Sequence, residues 1–293
     1  MLGKSQAHRT PAIRQFGVWG TDPNNVWTVG SGGSILHWDG AQWSCFATES
    51  QSNLTGIWGI AADDIWASGA DGVILHWDGV TWSQVPSGTS AGVGVRWGTA
   101  TDDVWATVVI PGTLLHWDGL SWNPIDTGFP DYFVTTWGTG PDNIWAGGPW
   151  DYVAHWDGKN WSRVDLPVGY ANNLNPVSAI WGADANNVFF GASSLYMDVG
   201  FLIYHWDGNQ ITVAREDGFY FGTQIKQIRD IWGRAADDIW VDVPIDTHTG
   251  IMHWDGSAWS LVATPRVRAY TIWPTATDVW VAGDDGAILH TAR

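Results

Sequence analysis

One passage recurs seven times along this 293-residue chain. Its clearest copies are GIWGIAADDIWASGADGVILHWDGVTWSQV, running from Gly56 to Val85, and DIWGRAADDIW followed by GIMHWDGSAWSLV, between Asp230 and Val262. The first Trp of each copy falls at Trp19, Trp58, Trp97, Trp137, Trp181, Trp232 and Trp273. A unit of about 40–45 residues with four short strands is a propeller blade, and it buries its faces only by stacking on its neighbours. The expected fold is therefore all-β: a single seven-bladed β-propeller over residues 1–293, with four-stranded antiparallel blades starting near residues 17, 56, 95, 135, 179, 230 and 271.

The second copy shows how a blade is written. Gly56-Ile57-Trp58-Gly59 suits an inner strand, Ile65 to Ser68 a second, Val73 to Trp77 a third and Thr81 to Ser83 an outer one. Asp63-Asp64, Asp71-Gly72 and Asp78-Gly79 supply the turns. Asp-Gly between two apolar runs predicts a two-residue hairpin, because a type I′ turn needs positive φ at both central residues. That turn would set Trp77 opposite Val80, His76 opposite Thr81 and Leu75 opposite Trp82. The seventh copy stops after its third strand, Ile288 to Arg293, without a Trp-Asp-Gly turn or outer Trp. In copies one to three the outer Trp lies 15 residues before the next inner Trp (Trp82 to Trp97, for instance), and 15 back from Trp19 is Lys4. Residues 3–8 are thus expected to supply the outer strand of blade seven and close the ring, which removes an exposed sheet edge.

Composition narrows the partners. The net charge is −17 with only 13 Lys and Arg, and no basic run occurs, which excludes a nucleic-acid groove. Of the 30 acids only Glu49 and Glu216 are Glu; most Asp sit in the repeated turns, where the carboxylate bonds nearby backbone N–H groups. Cys45 is the single cysteine, so neither an intrachain disulfide nor a Cys-rich metal site is expected, and no cofactor is implied. No stretch is long and apolar enough to span a membrane. The opening MLGKSQAHRTPA contains no apolar leader. The compartment stays open between the cell interior and, if a leader has been removed, secretion or the cell surface.

The motif IWG, DDIWASG, GVILHWDG and WS resembles the tryptophan-rich repeats of bacterial BNR/Asp-box-like propellers, including photosystem II assembly-factor-like proteins. It is also similar to seven-bladed bacterial lectins that bind fucose. It departs from the sialidase Asp-box in keeping only Asp-Gly-x-x-Trp, and from WD repeats in having His76, Trp77 and Asp78 adjacent. The first resemblance implies a protein-assembly role. The second implies sugar binding, with pockets between blades that use repeat residues such as Trp58 or Trp66.

In an up-and-down blade the first and third turns share one end, and the second turn and the blade-to-blade link share the other. The constant Trp-Gly and Trp-Asp-Gly turns fall on the first end, and all variation in length falls on the second. Binding residues ride on variable loops over a rigid scaffold. Blades four to six carry the longest insertions, rich in aromatics absent from the repeat, Phe133 and Phe219 among them. The expected ligand-binding set is Tyr132, Trp150, Tyr152, Tyr170, Tyr196, Asp198, Tyr220, Asp246 and His248, with Asp131 among the polar partners.

Other constellations have plainer readings. The repeated histidines, His37 to His290, lie on third strands where they cannot converge on a metal, so structural hydrogen bonding is expected. His248 near Asp242 and Asp246 has the makings of a general base, and Glu216-Asp217 of a carboxylate pair, but adjacent residues on an extended chain point apart. No metal site and no catalytic residue is assigned. The expected function is non-catalytic binding, of a neutral glycan through aromatic and Asp/Asn residues on the variable loops. The alternative is a protein-interaction or assembly platform with a protein or peptide ligand on the same rim. A polysaccharide lyase or hydrolase ranks third.

Overall fold

The computed structural model describes residues 13–167, 176–193, 199–218, 227–245, 248–265 and 267–292. Their strands form seven antiparallel sheets, each ordered as the chain runs, the all-β architecture of a seven-bladed propeller. Blades one to six have four strands each. The first strands are Gln15–Asp22, Leu54–Ala61, Val93–Ala100, Thr135–Gly140, Val177–Asp184, Ile231–Ala235 and Ala269–Pro274. Blade seven has three strands among the described residues, ending with Ile288–Ala292; the closing strand expected at residues 3–8 lies outside them. The chain divides into two compact units. Residues 1–129 with 269–293 hold blades seven, one, two and three, and residues 130–268 hold blades four, five and six.

The repeated Trp-Gly pair is explained by the neighbouring blade. A Cβ on Gly59 would stand 2.7 Å from Cη2 of Trp19, and one on Gly98 would stand 2.8 Å from Cη2 of Trp58. In the second unit Trp137 occupies the same place against Gly182, and Trp181 against Gly233. In these pairs the inner Trp lies where only a glycine leaves room, which couples the two halves of the motif across a blade boundary.

Aromatic packing continues outward. Trp66, fully buried, stacks on His76 of its own blade with centroids 4.2 Å apart, and meets Trp117 and Trp122 of blade three at 5.0 and 5.4 Å. Trp27 repeats this against His37, Trp77 and Trp82. The outer Trp stands edge-on to the buried ring, at 90° for Trp122 and 74° for Trp82, the arrangement favoured by the ring quadrupole. The buried Nε1 groups of Trp82 and Trp122 have no hydrogen-bond acceptor among the described residues.

The repeated His has the structural role expected, with a specific partner. His76 Nε2 and Trp66 Nε1 both bond Oδ1 of Asp64, at 2.8 and 3.1 Å. Asp103 holds His116 and Trp105 in the same way, and Asp238 holds His253 and Trp240. In blades one and four Asn25 and Asn143 take the place of the Asp toward His37 and His155. Burial pushes the pKa of His37 and His155 below the ordinary imidazole value. In blade five Asn187 turns to Asp184 instead, and the buried Nε2 of His205 has no hydrogen-bond partner.

The Asp-Gly turn is longer than expected. Trp77 pairs with Trp82, His76 with Ser83 and Leu75 with Gln84, so Asp78 to Thr81 form a four-residue loop. The Asp78 carboxylate accepts the N–H groups of Val80 and Thr81 at 2.9 and 2.8 Å, and only Gly79 takes a positive φ. The carboxylate thus closes an Asx turn, where a type I′ hairpin would need two left-handed residues. The register moves by two residues, so every side chain keeps its expected face. Gly79 also packs its backbone on Asp63, locking the third turn of the blade to the first; Asn24 with Gly40 and Asp142 with Gly158 do the same.

Candidate functional site

The opposite end of each blade carries the second turn and the link to the next blade. In blades one to three this end is short and sealed by a hydroxyl. Ser87 Oγ donates to the Gly72 carbonyl at 2.6 Å, Thr127 Oγ1 to Gly112 at 2.9 Å and Thr48 Oγ1 to Gly33 at 3.2 Å. Blade four has Leu166 where these blades have the hydroxyl residue. Its second turn, Gly148-Pro149-Trp150-Asp151, is crossed by the chain that enters the blade, as Arg14 crosses Ser31 in blade one and Asn53 crosses Ala70 in blade two. Val134 N–H donates to the Gly147 carbonyl at 2.8 Å, and a Cβ on Gly148 would lie 2.6 Å from the Tyr132 carbonyl oxygen. Two loops are thereby held against each other at one end of one sheet.

Beneath them is a polar clamp. Tyr152, the first residue of the third strand, is 5% exposed, and its hydroxyl donates to Oδ2 of Asp131 at 2.9 Å. Burial, reinforced by the Asp131 carboxylate, raises the phenol pKa above its ordinary range, so it stays a donor at neutral pH. Arg163 reaches across from the outer strand and lays its guanidinium over the Tyr152 ring, 4.2 Å from the centroid. The same guanidinium bonds Asp165 and lies 3.7 Å from Asp151. The hydrogen bond to Asp165 is the largest influence holding the Arg163 pKa up.

Above the clamp two aromatic side chains face solvent. Tyr132 is 39% exposed and Trp150 37%, and Val134 between the loops is exposed as well. With His248 of blade six, Tyr132 and Trp150 are the members of the expected site that the described structure leaves exposed. Tyr152 belongs instead to the support beneath them, and Phe133, expected on the rim, is buried. Tyr170, Tyr196, Asp198, Tyr220 and Asp246 lie outside the described residues. His248 opens the third strand of blade six, exposed and opposite Ile245. Asp242, considered as its partner, is buried opposite Ile251 and accepts the backbone N–H groups of Arg229 and Asp230 at 2.8 and 2.7 Å. Its burial pushes the carboxyl pKa up to about 7.

Arg163 has no signal as a site residue in the sequence; its role depends on the cross-strand register that sets it opposite Ala154. Among the described residues no cluster of three His, Cys, Asp or Glu side chains is placed to hold a metal ion, and no helix is long and apolar enough to cross a membrane. The blade-four surface offers two aromatic faces, carboxylates and one guanidinium already engaged, a set suited to stacking and charge recognition.

No protein-family model matches the chain, and no curated protein matches it. Solved structures do. YCF48 bound to D1 peptide is similar at a TM-score of 0.70 and 12% identity, over 98% of this chain and 94% of that one. YCF48 from Cyanidioschyzon merolae is similar at 0.67 and 18% identity, over 97% of both chains. The WD40 propeller domain of Doa1 is similar at 0.68 and 12% identity, over 95% of this chain and 96% of that one. Identities of this order carry the fold: the chain is a propeller similar to YCF48, among others.

Proposed function

We propose that this protein is a peptide- or protein-binding platform, and that the variable end of blade four is part of its binding surface. The observation that carries the reading is the pair of solvent-facing aromatics, Tyr132 and Trp150, mounted on a clamp whose own polar groups are engaged. Exposed aromatics on a preorganised support lose little side-chain entropy on binding, which is why such residues anchor interfaces. A propeller similar in fold over nearly the whole chain has been solved with a peptide, which favours this reading over sugar binding. The charge of −17 and the scarcity of Lys and Arg turn away nucleic acid and other polyanions.

A neutral glycan stacked on the same rings is the competing reading, and one experiment separates the two. The immobilised full chain is offered a display library of random extended peptides and, in parallel, an array of neutral glycans. Enrichment of peptides that bind at micromolar strength, with silence across the glycans, is the expected result. Glycan binding without peptide enrichment transfers the site to sugar recognition, and silence on both overturns the proposal.

A further inference from the structure

We infer that the blade-four surface takes a cationic side chain, Lys or Arg, from its peptide partner, seated against Trp150 and Tyr132. The inference rests on the platform reading and adds the chemistry of the ligand.

The local charge is one-sided. Asp131, Asp151 and Asp165 surround the clamp, and among the described residues Arg163 is the cation that pairs with them. That cation is spoken for by its bond to Asp165 and its place over Tyr152. Three carboxylates against one guanidinium leave a net of about two negative charges beside two exposed aromatic faces. Asp151 is the less tightly held carboxylate: its nearest cation is 3.7 Å away and its side chain is 45% exposed, so it is available to a second cation.

The cluster already performs the recognition in question. Arg163 over the Tyr152 ring is an intramolecular cation–π contact with flanking carboxylates. Trp150 and Tyr132, next in the chain to Asp151 and Asp131, present the same chemistry to solvent, and an indole face is the best aromatic partner for a cation. A carboxylate-bearing ligand would meet repulsion from the three aspartates. A sugar would stack without using the charge at all. The negative surface of the whole chain draws a basic partner from a distance.

The test uses the peptides selected on the intact chain, with random peptides of unbiased composition as the starting pool. Enrichment of Lys or Arg, at least tenfold weaker binding when that residue is changed to Gln, and weakening as salt is raised from 50 to about 300 mM are the expected results. Trp150→Ala and Tyr132→Ala should each cost about tenfold or more in Kd, a loss of roughly 1.4 kcal/mol. Trp150→Phe, which keeps a π face and guards against a folding artefact, should retain most of the affinity. Selected peptides without basic residues, or binding indifferent to salt and to Trp150→Ala, would overturn the inference while leaving the platform reading intact. A library yielding no peptide at all removes both.

Discussion

The two ends of blade four are made from the same four strands and are built for different purposes. At the constant end Asn143 holds His155, Asp157 accepts the N–H groups of Lys159 and Asn160, and Gly158 packs on Asp142. Polar groups there are consumed by the repeat itself. At the variable end the loops carry Tyr132 and Trp150 into solvent beside the clamp of Asp131, Tyr152 and Arg163. Blade two makes the same constant end with Asp64, Asp78 and Asp63, and a variable end closed by Ser87. Conserving one end fixes the sheet, and the other end is then free to differ from blade to blade. The constant end does expose apolar residues, Val80 at 77% and Leu120 at 88%. Their counterparts are Ala41, Lys159, Asn209 and Ser257, so the position tolerates any side chain, and single exposed residues of this kind need no partner.

The comparison can be broken most forcefully from the constant end and the core beside it. Trp66→Ala should destabilise by about 3–5 kcal/mol, because it empties the space between His76, Trp117 and Trp122. Urea unfolding would read this, and peptide binding by the protein that remains folded should be unchanged. Asp64→Ala should cost about 1–3 kcal/mol by stranding Trp66 Nε1 and His76 Nε2. Asp64→Asn, which copies the acceptor of blades one and four, should cost less than half as much.

The pH dependence sharpens the contrast between turn and interior carboxylates. In the folded chain Asp242 keeps its proton up to about pH 7, against an ordinary value of 3.8. Folding therefore binds a proton between those values. The stability Asp242 contributes is full below pH 3.8, declines as pH rises to about 7, and is flat beyond. The turn aspartates have the opposite sign. Backbone donors lower Asp78, Asp118 and Asp157, and the Ser257 hydroxyl helps bring Asp255 to about 2. What they contribute is present above pH 3.8 and lost as pH falls through their folded values. His37, His155 and His205, lowered by burial, add stability above pH 6.5 that is lost as pH falls. Asp242→Asn should therefore make the unfolding midpoint rise more steeply with pH between 4 and 7 than it does in the parent chain. The smallest effect on stability is expected at the variable end: Tyr132→Ala and Trp150→Ala should each shift it by no more than about 0.5 kcal/mol.

Much of this architecture was legible in the sequence, for physical reasons. Trp58-Gly59 is readable because a steric demand between blades forces two residue types at fixed spacing. Asp78-Gly79 is readable as a turn, but its length is not, since Asx bonding and a type I′ hairpin both select Asp-Gly and differ by two residues of register. The partner of His76 had a signal, an Asp or Asn opening the second strand about 12 residues earlier, that only the paired register makes meaningful. In the candidate site Tyr132 and Trp150 follow from loop position. Tyr152 and Phe133 do not, because the phase of in-and-out alternation is undefined until the point where the loop becomes strand is known. Arg163 stayed hidden for a related reason: its contact spans two strands whose register no local pattern specifies.

The most direct test compares two double variants as ligands for the selected basic peptides, by titration calorimetry on proteins of matched unfolding midpoint. One removes the variable-end aromatics, Tyr132→Ala with Trp150→Ala; the other removes the exposed constant-end residues, Val80→Ser with Leu120→Ser. Loss of binding in the first, at least tenfold, with parent affinity in the second is the predicted result. Parent affinity in the first and loss in the second would contradict the assignment of binding to the variable end.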